Sequence, residues 1–232
     1  METIIKLNNQ TAGRDKIARL VQYLSKLLWY RLQQQQKNGV QTFKSLEYQL
    51  STFRKLLRLG RCIDTLYAAL AVIKHPVSTV RLTITLSKIS NALFLLTDHI
   101  LWFGRADIWN VNTDKWSRIS NKYWLYSITM NLVRDFYEIL QILKAERSKI
   151  IPKGGCRNFN DIFKTGGRAF MCVQATPSVI VDTVKNCCDF FIPLTALGHI
   201  ELSPDTIGFL GVISSIAGLI ALIQPIAKLT PA

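Results

Sequence analysis

Acidic residues are scarce in this chain: 15 Asp and Glu stand against 29 Lys and Arg, for a formal net charge of +14. An imbalance of that size argues against a cationic partner and suits anionic headgroups or phosphates. Histidine is rarer still. His75, His99 and His199 lie far apart without ligand-like neighbours, so no metal site is expected. The five cysteines, Cys62, Cys156, Cys172, Cys187 and Cys188, include no CxxC, and the adjacent pair cannot readily bridge; reduced thiols are expected. Catalytic signatures are absent too: there is no GxSxG, GxxxxGK, HExxH or dinucleotide fingerprint. Asp98 with His99, and Asp135 with Glu138, come nearest to acid and base pairs, and on helices they read as capping or ion-pair residues. Neither catalysis nor a cofactor is expected. The start, METIIKLNNQ, has no secretory pattern, and the end, KLTPA, is neither a prenylation box nor an SKL-type address. Membrane targeting is therefore expected from internal segments.

Long hydrophobic runs are also missing, with one exception. Between Asp205 and Lys228 the chain reads TIGFLGVISSIAGLIALIQPIA without a charge. At about 1.5 Å per helical residue this stretch can cross a hydrocarbon core of about 30 Å. Ser203 suits the N-cap, Pro204 the first helical position and Asp205 the positive end of the helix dipole. Gly211 and Ser215, and Ser214 and Gly218, stand four apart and would let another helix approach closely, so they are the expected packing face. A buried helix in a soluble core is the alternative.

Elsewhere the apolar residues, 49% of the chain, must sit on wide helical faces. A first amphipathic helix is expected over about residues 14–36, with Ile17, Leu20, Val21, Leu24, Leu27, Leu28 and Leu32 on one side. A second is expected over 42–74. There Leu50, Phe53 and Leu57 form a stripe bordered by Arg54, Lys55, Arg58 and Arg61, and a second stripe takes over near Gly60. An apolar face beside a cationic border lets a helix lie in a bilayer interface, so these seven residues are the expected membrane-binding set. A bundle helix with solvated charges is the alternative. Pro76 then stops the chain, Ser78 can cap a third helix to about Phe103, and Leu82, Leu86, Ile89, Leu93, Leu96 and Ile100 mark its buried side. A fourth helix over 115–149 has Leu125, Ile128, Leu132, Phe136, Ile139 and Leu143 in one stripe, and a fifth runs from Thr176 and Pro177 to near Pro193.

Positive charge belongs to the amino-terminal part: residues 1–74 hold 13 Lys and Arg against four acids, whereas residues 150–232 hold six against five. The expected architecture is all-α, a membrane-associated bundle of long amphipathic helices with a carboxy-terminal transmembrane helix. It divides into a basic helical region (1–149), a Gly- and Pro-rich linker (150–168), a helix on the body or membrane surface (169–202) and the anchor with a short tail (203–232). Its cations flank a leucine stripe rather than a platform of stacking aromatics, so lipid rather than nucleic acid is the expected partner. One span puts the tail opposite the basic body; both ends on one side require a second crossing that the sequence does not locate.

RKLLRLG at Arg54–Gly60 is one of four blocks that carry a family likeness. The others are DHILWFG at Asp98–Gly104, the Lys115–Trp116 pair followed by YWLYSITMNLVRDFYEI at Tyr123–Ile139, and DTVKNCCDFFIPLTALG at Asp182–Gly198. Together they resemble the peroxisomal membrane protein 11 family, also called peroxisomal biogenesis factor 11, of the animal alpha and beta type. The resemblance implies an integral peroxisomal membrane protein, basic region toward the cytosol, that elongates the organelle and promotes its fission and proliferation. It also implies an inserted amphipathic helix matching 42–74, self-association to a homo-oligomer, fission adaptors with a dynamin-related GTPase, and a membrane-protein import receptor. A pore for small metabolites is the alternative function.

Overall fold

The structure, a computed structural model, describes residues 10–74, 76–150 and 176–224; the expected linker at 150–168, Cys156, Cys172 and His75 lie outside them, apart from the backbone of residue 150. Seven helices occur among the described residues: α1 Thr11–Gln34, α2 Val40–Leu57, α3 Arg61–Val72, α4 Ser78–Arg105, α5 Thr113–Ile150, α6 Pro177–Ala196 and α7 Pro204–Ile223. The backbone is thus all-α, as the periodicity requires.

Three local features depart from the sequence expectations. The helix expected over 42–74 is two helices, because Gly60 takes a left-handed conformation at φ 81° and the turn before it closes through Leu59 N to Leu56 O at 3.0 Å. Only a residue without a Cβ takes that conformation freely. Ser78 is not a cap: it is the first helical residue of α4, and Val77 precedes it without a side-chain bond. Pro193 does not end α6 either. The helix passes through it to Ala196 and stops at Gly198, φ 82°, where Leu197 N reaches Pro193 O at 2.9 Å. A proline this close to the end forfeits a single ladder bond.

The helices close into a ring. Following the neighbours that touch, α1 packs on α7, α7 on α6, α6 on α5, α5 on α4 and α4 on α3, while α2 bridges α4 back to α1. The sense of the ring is what the sequence did not convey. On α4 the leucine stripe expected to be buried faces outward, with Leu82 at 63% exposure and Leu86, Ile89, Leu93 and Leu96 also exposed; Val80, Ile84, Ser87, Leu95 and Asp98 point in. α5 repeats the pattern, with Phe136, Val133 and Tyr126 outside and Ser120, Ser127, Ile128 and Arg134 inside. Ile17, Val21, Leu24 and Leu28 of α1 are exposed, whereas Asp15 and Arg19 are buried. Fully removing one such aliphatic side chain from water is worth about 1.5–3 kcal/mol, so a bundle with this exterior forgoes its main driving force in water and recovers it in lipid.

α7 is the helix long and apolar enough to cross a membrane among those described. Ser203 caps it, accepting from Thr206 N at 3.2 Å, and Arg31 Nε reaches Asp205 Oδ1 at 3.0 Å. Its small residues set how close α1 comes. A Cβ built on Gly211 would lie 2.3 Å from the Tyr23 ring, and one on Gly208 2.8 Å from Leu27 Cγ. Replacing Gly211 by Ala raises helix propensity by about 0.8–1 kcal/mol yet overpacks the seam by about 1–3 kcal/mol. The Gly211→Ala protein is expected to unfold at lower temperature in detergent, and adding Tyr23→Ala is expected to return part of the loss; additive effects of the two would place the seam elsewhere.

Candidate functional site

The ring surrounds a partly open cavity of about 790 Å³ to which each helix contributes at least one side chain. Its wall carries polar and apolar surface in equal share. α5 supplies Ser120, Asn121, Ser127, Asn131 and Arg134 at helical spacing, and α4 faces them with Ser87, whose Oγ donates to Asn131 Oδ1 at 2.6 Å and lies 3.1 Å from Ser127 Oγ. Turned into the ring, a stripe of small hydroxyls and amides needs hydrogen-bond partners, and the facing helix supplies them.

Three buried aspartates organise the charges. Asp15 of α1 accepts from Arg54 Nε at 3.1 Å and pairs with Arg58 Nε at 3.3 Å. Asp98 of α4, 1% exposed, takes Arg58 Nη1 at 3.0 Å on one oxygen and the Lys55 ammonium on the other. Asp189 of α6 holds Arg19 of α1, whose Nη1 lies at 3.3 Å, and accepts from Ser214 Oγ of α7 at 2.5 Å. Each node ties together at least two helices, and each charged side chain brings a hydrogen bond as well as its charge, without which burial of the pair would be unfavourable. A fourth buried carboxylate, Asp135, accepts from Asn186 Nδ2 at 2.7 Å across the α5–α6 seam.

The expected membrane-binding residues divide between the two sides of α2. Phe53 is exposed, and Leu50 and Leu57 are half-buried. Arg54, Lys55 and Arg58 point inward to Asp15 and Asp98, and Arg61 lies half-buried on the cavity wall. The outward surface of this region is instead apolar, through Leu56, Leu59, Ile63, Leu66, Tyr67 and Leu70, with Ile63 at 70% and Leu70 at 61% exposure. Of the α7 residues, Gly211 abuts Tyr23, Gly218 lies against the Lys16 side chain, Ser214 bonds Asp189, and Ser215 donates to Gly211 O at 2.6 Å.

Sequence reasoning passed over Asp15, Arg19, Arg134, Asn186 and Asp189. A signal existed: Asp15, Arg19 and Gln22, and likewise Ser127, Asn131 and Arg134, recur at three and four as regularly as the leucines. Among the described residues no group of His, Cys, Asp and Glu could hold a metal ion. Asp98 and Asp135, the nearest to catalytic carboxylates, are engaged as above, and His99 Nε2 lies 3.0 Å from Arg58 O.

Comparison with known proteins adds a family. The sequence model of peroxisomal biogenesis factor 11 matches residues 1–223. Human peroxisomal membrane protein 11B is 30% identical over the whole of both chains. Rat peroxisomal membrane protein 11A is 32% identical over 99% of each. The peroxisomal membrane protein 11 homolog of Dictyostelium discoideum is 26% identical over 94% of this chain and 92% of its own. No solved structure matches the chain.

Removing one partner of a dry buried ion pair costs about 3–5 kcal/mol, and a polar cavity that admits water lowers that to the order of 2 kcal/mol. Asp98→Asn is expected to destabilise the folded protein in detergent by about that much, read as a lower denaturation midpoint. Adding Lys55→Gln should recover part of it. An Asp98→Asn protein as stable as the parent would mean that these charges do not hold the ring.

Proposed function

The chain belongs to the peroxisomal biogenesis factor 11 family, and from that membership we propose that it shapes the peroxisomal membrane, elongating the organelle ahead of fission and promoting its proliferation. It acts in peroxisome biogenesis, its seat is the peroxisomal membrane, and its family is one of biogenesis factors rather than of enzymes. The observation that carries the mechanism is the apolar outer face of α2 and α3, which inserts into one leaflet of an anionic phospholipid membrane as a wedge while α7 spans the bilayer. Contact of Arg54, Lys55, Arg58 and Arg61 with headgroups belongs to a conformation in which α2 has left Asp15 and Asp98. The excess of cations in residues 1–74 supports a cytosolic position for the basic region. Self-association concentrates the wedges, fission adaptors and a dynamin-related GTPase complete the division, and a membrane-protein import receptor delivers the chain.

A second reading is favoured by the cavity: a polar interior of about 790 Å³ behind an apolar exterior is also what a path for small metabolites across the peroxisomal membrane requires.

The wedge is tested with the full chain reconstituted into vesicles containing anionic lipid. The parent is expected to draw them into tubules. The combined Ile63→Ser, Leu66→Ser and Leu70→Ser variant, of unchanged helix content, is expected to leave them round. Equal tubulation by both would remove α3 from the mechanism.

A further inference from the structure

The pairing of interior charges leaves a remainder. Among the described residues, nine Lys and Arg side chains line the cavity against five Asp and no Glu. Arg19, Arg54, Lys55, Arg58 and Lys185 are committed to Asp15, Asp98, Asp182 and Asp189. Arg134 is different. It is 4% exposed, makes no ion pair among the described residues, and its Nε and Nη2 have no hydrogen-bond partner there. Asp135 Oδ1 is also without a partner, but Asp135 sits on the α5–α6 seam beside Asn186 rather than on the cavity wall. A buried guanidinium with two unmet donors is costly unless something in the cavity accepts from it. One and two helical turns away on the same stripe, Asn131 and Ser127 bring neutral polar groups to the same wall.

We propose that the central cavity is a binding site for a small polyvalent anion, a free metabolite bearing phosphate or carboxylate groups, anchored by Arg134. The planar fork of a guanidinium matches the two oxygens of either group, and the cationic excess of the wall favours more than one negative charge on the ligand. A volume of about 790 Å³ admits an anion of metabolite size together with water. The site deepens the metabolite-path reading, on which it rests for the ligand's route to the cavity; the binding itself rests on the cavity alone.

The test uses the full chain in nanodiscs of purely zwitterionic lipid, with citrate and inorganic pyrophosphate as probes and sodium chloride at matched ionic strength as control. Both probes are expected to raise the unfolding midpoint beyond the chloride control, by mass action on the folded state. Arg134→Gln is expected to weaken probe binding by about tenfold or more, with Arg134→Lys intermediate. Without any probe, Arg134→Gln is expected to be at least as stable as the parent, since it removes an unpaired buried charge; a cation with a structural partner would instead be missed. Absence of a shift, or the same shift in Arg134→Gln, overturns the site. So does stabilisation by added phosphatidic acid with both soluble probes silent, which would make the ligand a lipid headgroup. Vesicle flux of neutral mannitol separates the two ideas. Mannitol leakage without probe binding sinks the site and spares the path, whereas probe binding in vesicles tight to mannitol and citrate keeps the site and sinks the path.

Discussion

A carboxylate taken out of water must find a cation or hydrogen-bond donor, and in this fold that requirement sets which helices meet. Asp189 is reached by Arg19 from the first helix and Ser214 from the last, so the two ends of the described chain close on one side chain of α6. Asp15 and Asp98 do the same for α2, drawing Arg54, Lys55 and Arg58 inward from either side. Leucines confer no such direction. They bury equally well against lipid or against one another, so the charges choose the inside and the leucines take what remains.

This explains what was legible in the sequence and what was not. Helix existence followed from periodicity, and the start of α7 followed from Ser203, Pro204 and Asp205, whose capping chemistry is local. The break at Gly60 was visible as a change of stripe but not as a stop, because a lone glycine inside a helical pattern is tolerated as often as it terminates. Which side of each helix faces in was not legible. An amphipathic pattern such as Leu82, Leu86, Ile89 and Leu93 against Ser87 and Asp98 is the same whether water or lipid is outside. The residues that decide, Asp189 for Arg19 and Asp98 for Lys55, lie 170 and 43 positions away. No window along the chain contains both partners.

The inverted bundle bears on both functional readings of a peroxisomal biogenesis factor 11 member. An apolar exterior on the body, as well as on α7, suits a bilayer, and the proposed wedge draws on the outer face of α2 and α3. A polar interior costs stability that a purely mechanical wedge does not need, and Arg134, whose Nε and Nη2 have no hydrogen-bond partner among the described residues, carries part of that cost. The cations next to Phe53 are held by aspartates within the ring, and the proposed contact with headgroups requires that α2 leave those partners.

The most direct measurement is nitroxide accessibility in the full chain reconstituted into bilayers, with single labels in a cysteine-free background at Leu82, Leu93 and Phe136 and at Ser120, Ser127 and Asn131. Labels at the first three are expected to collide with oxygen dissolved in lipid and to be shielded from an aqueous nickel chelate, and those at the second three to be shielded from lipid oxygen. Collision of the Leu82, Leu93 and Phe136 labels with the aqueous chelate, or their exclusion from both reagents inside a packed core, would contradict the inverted bundle.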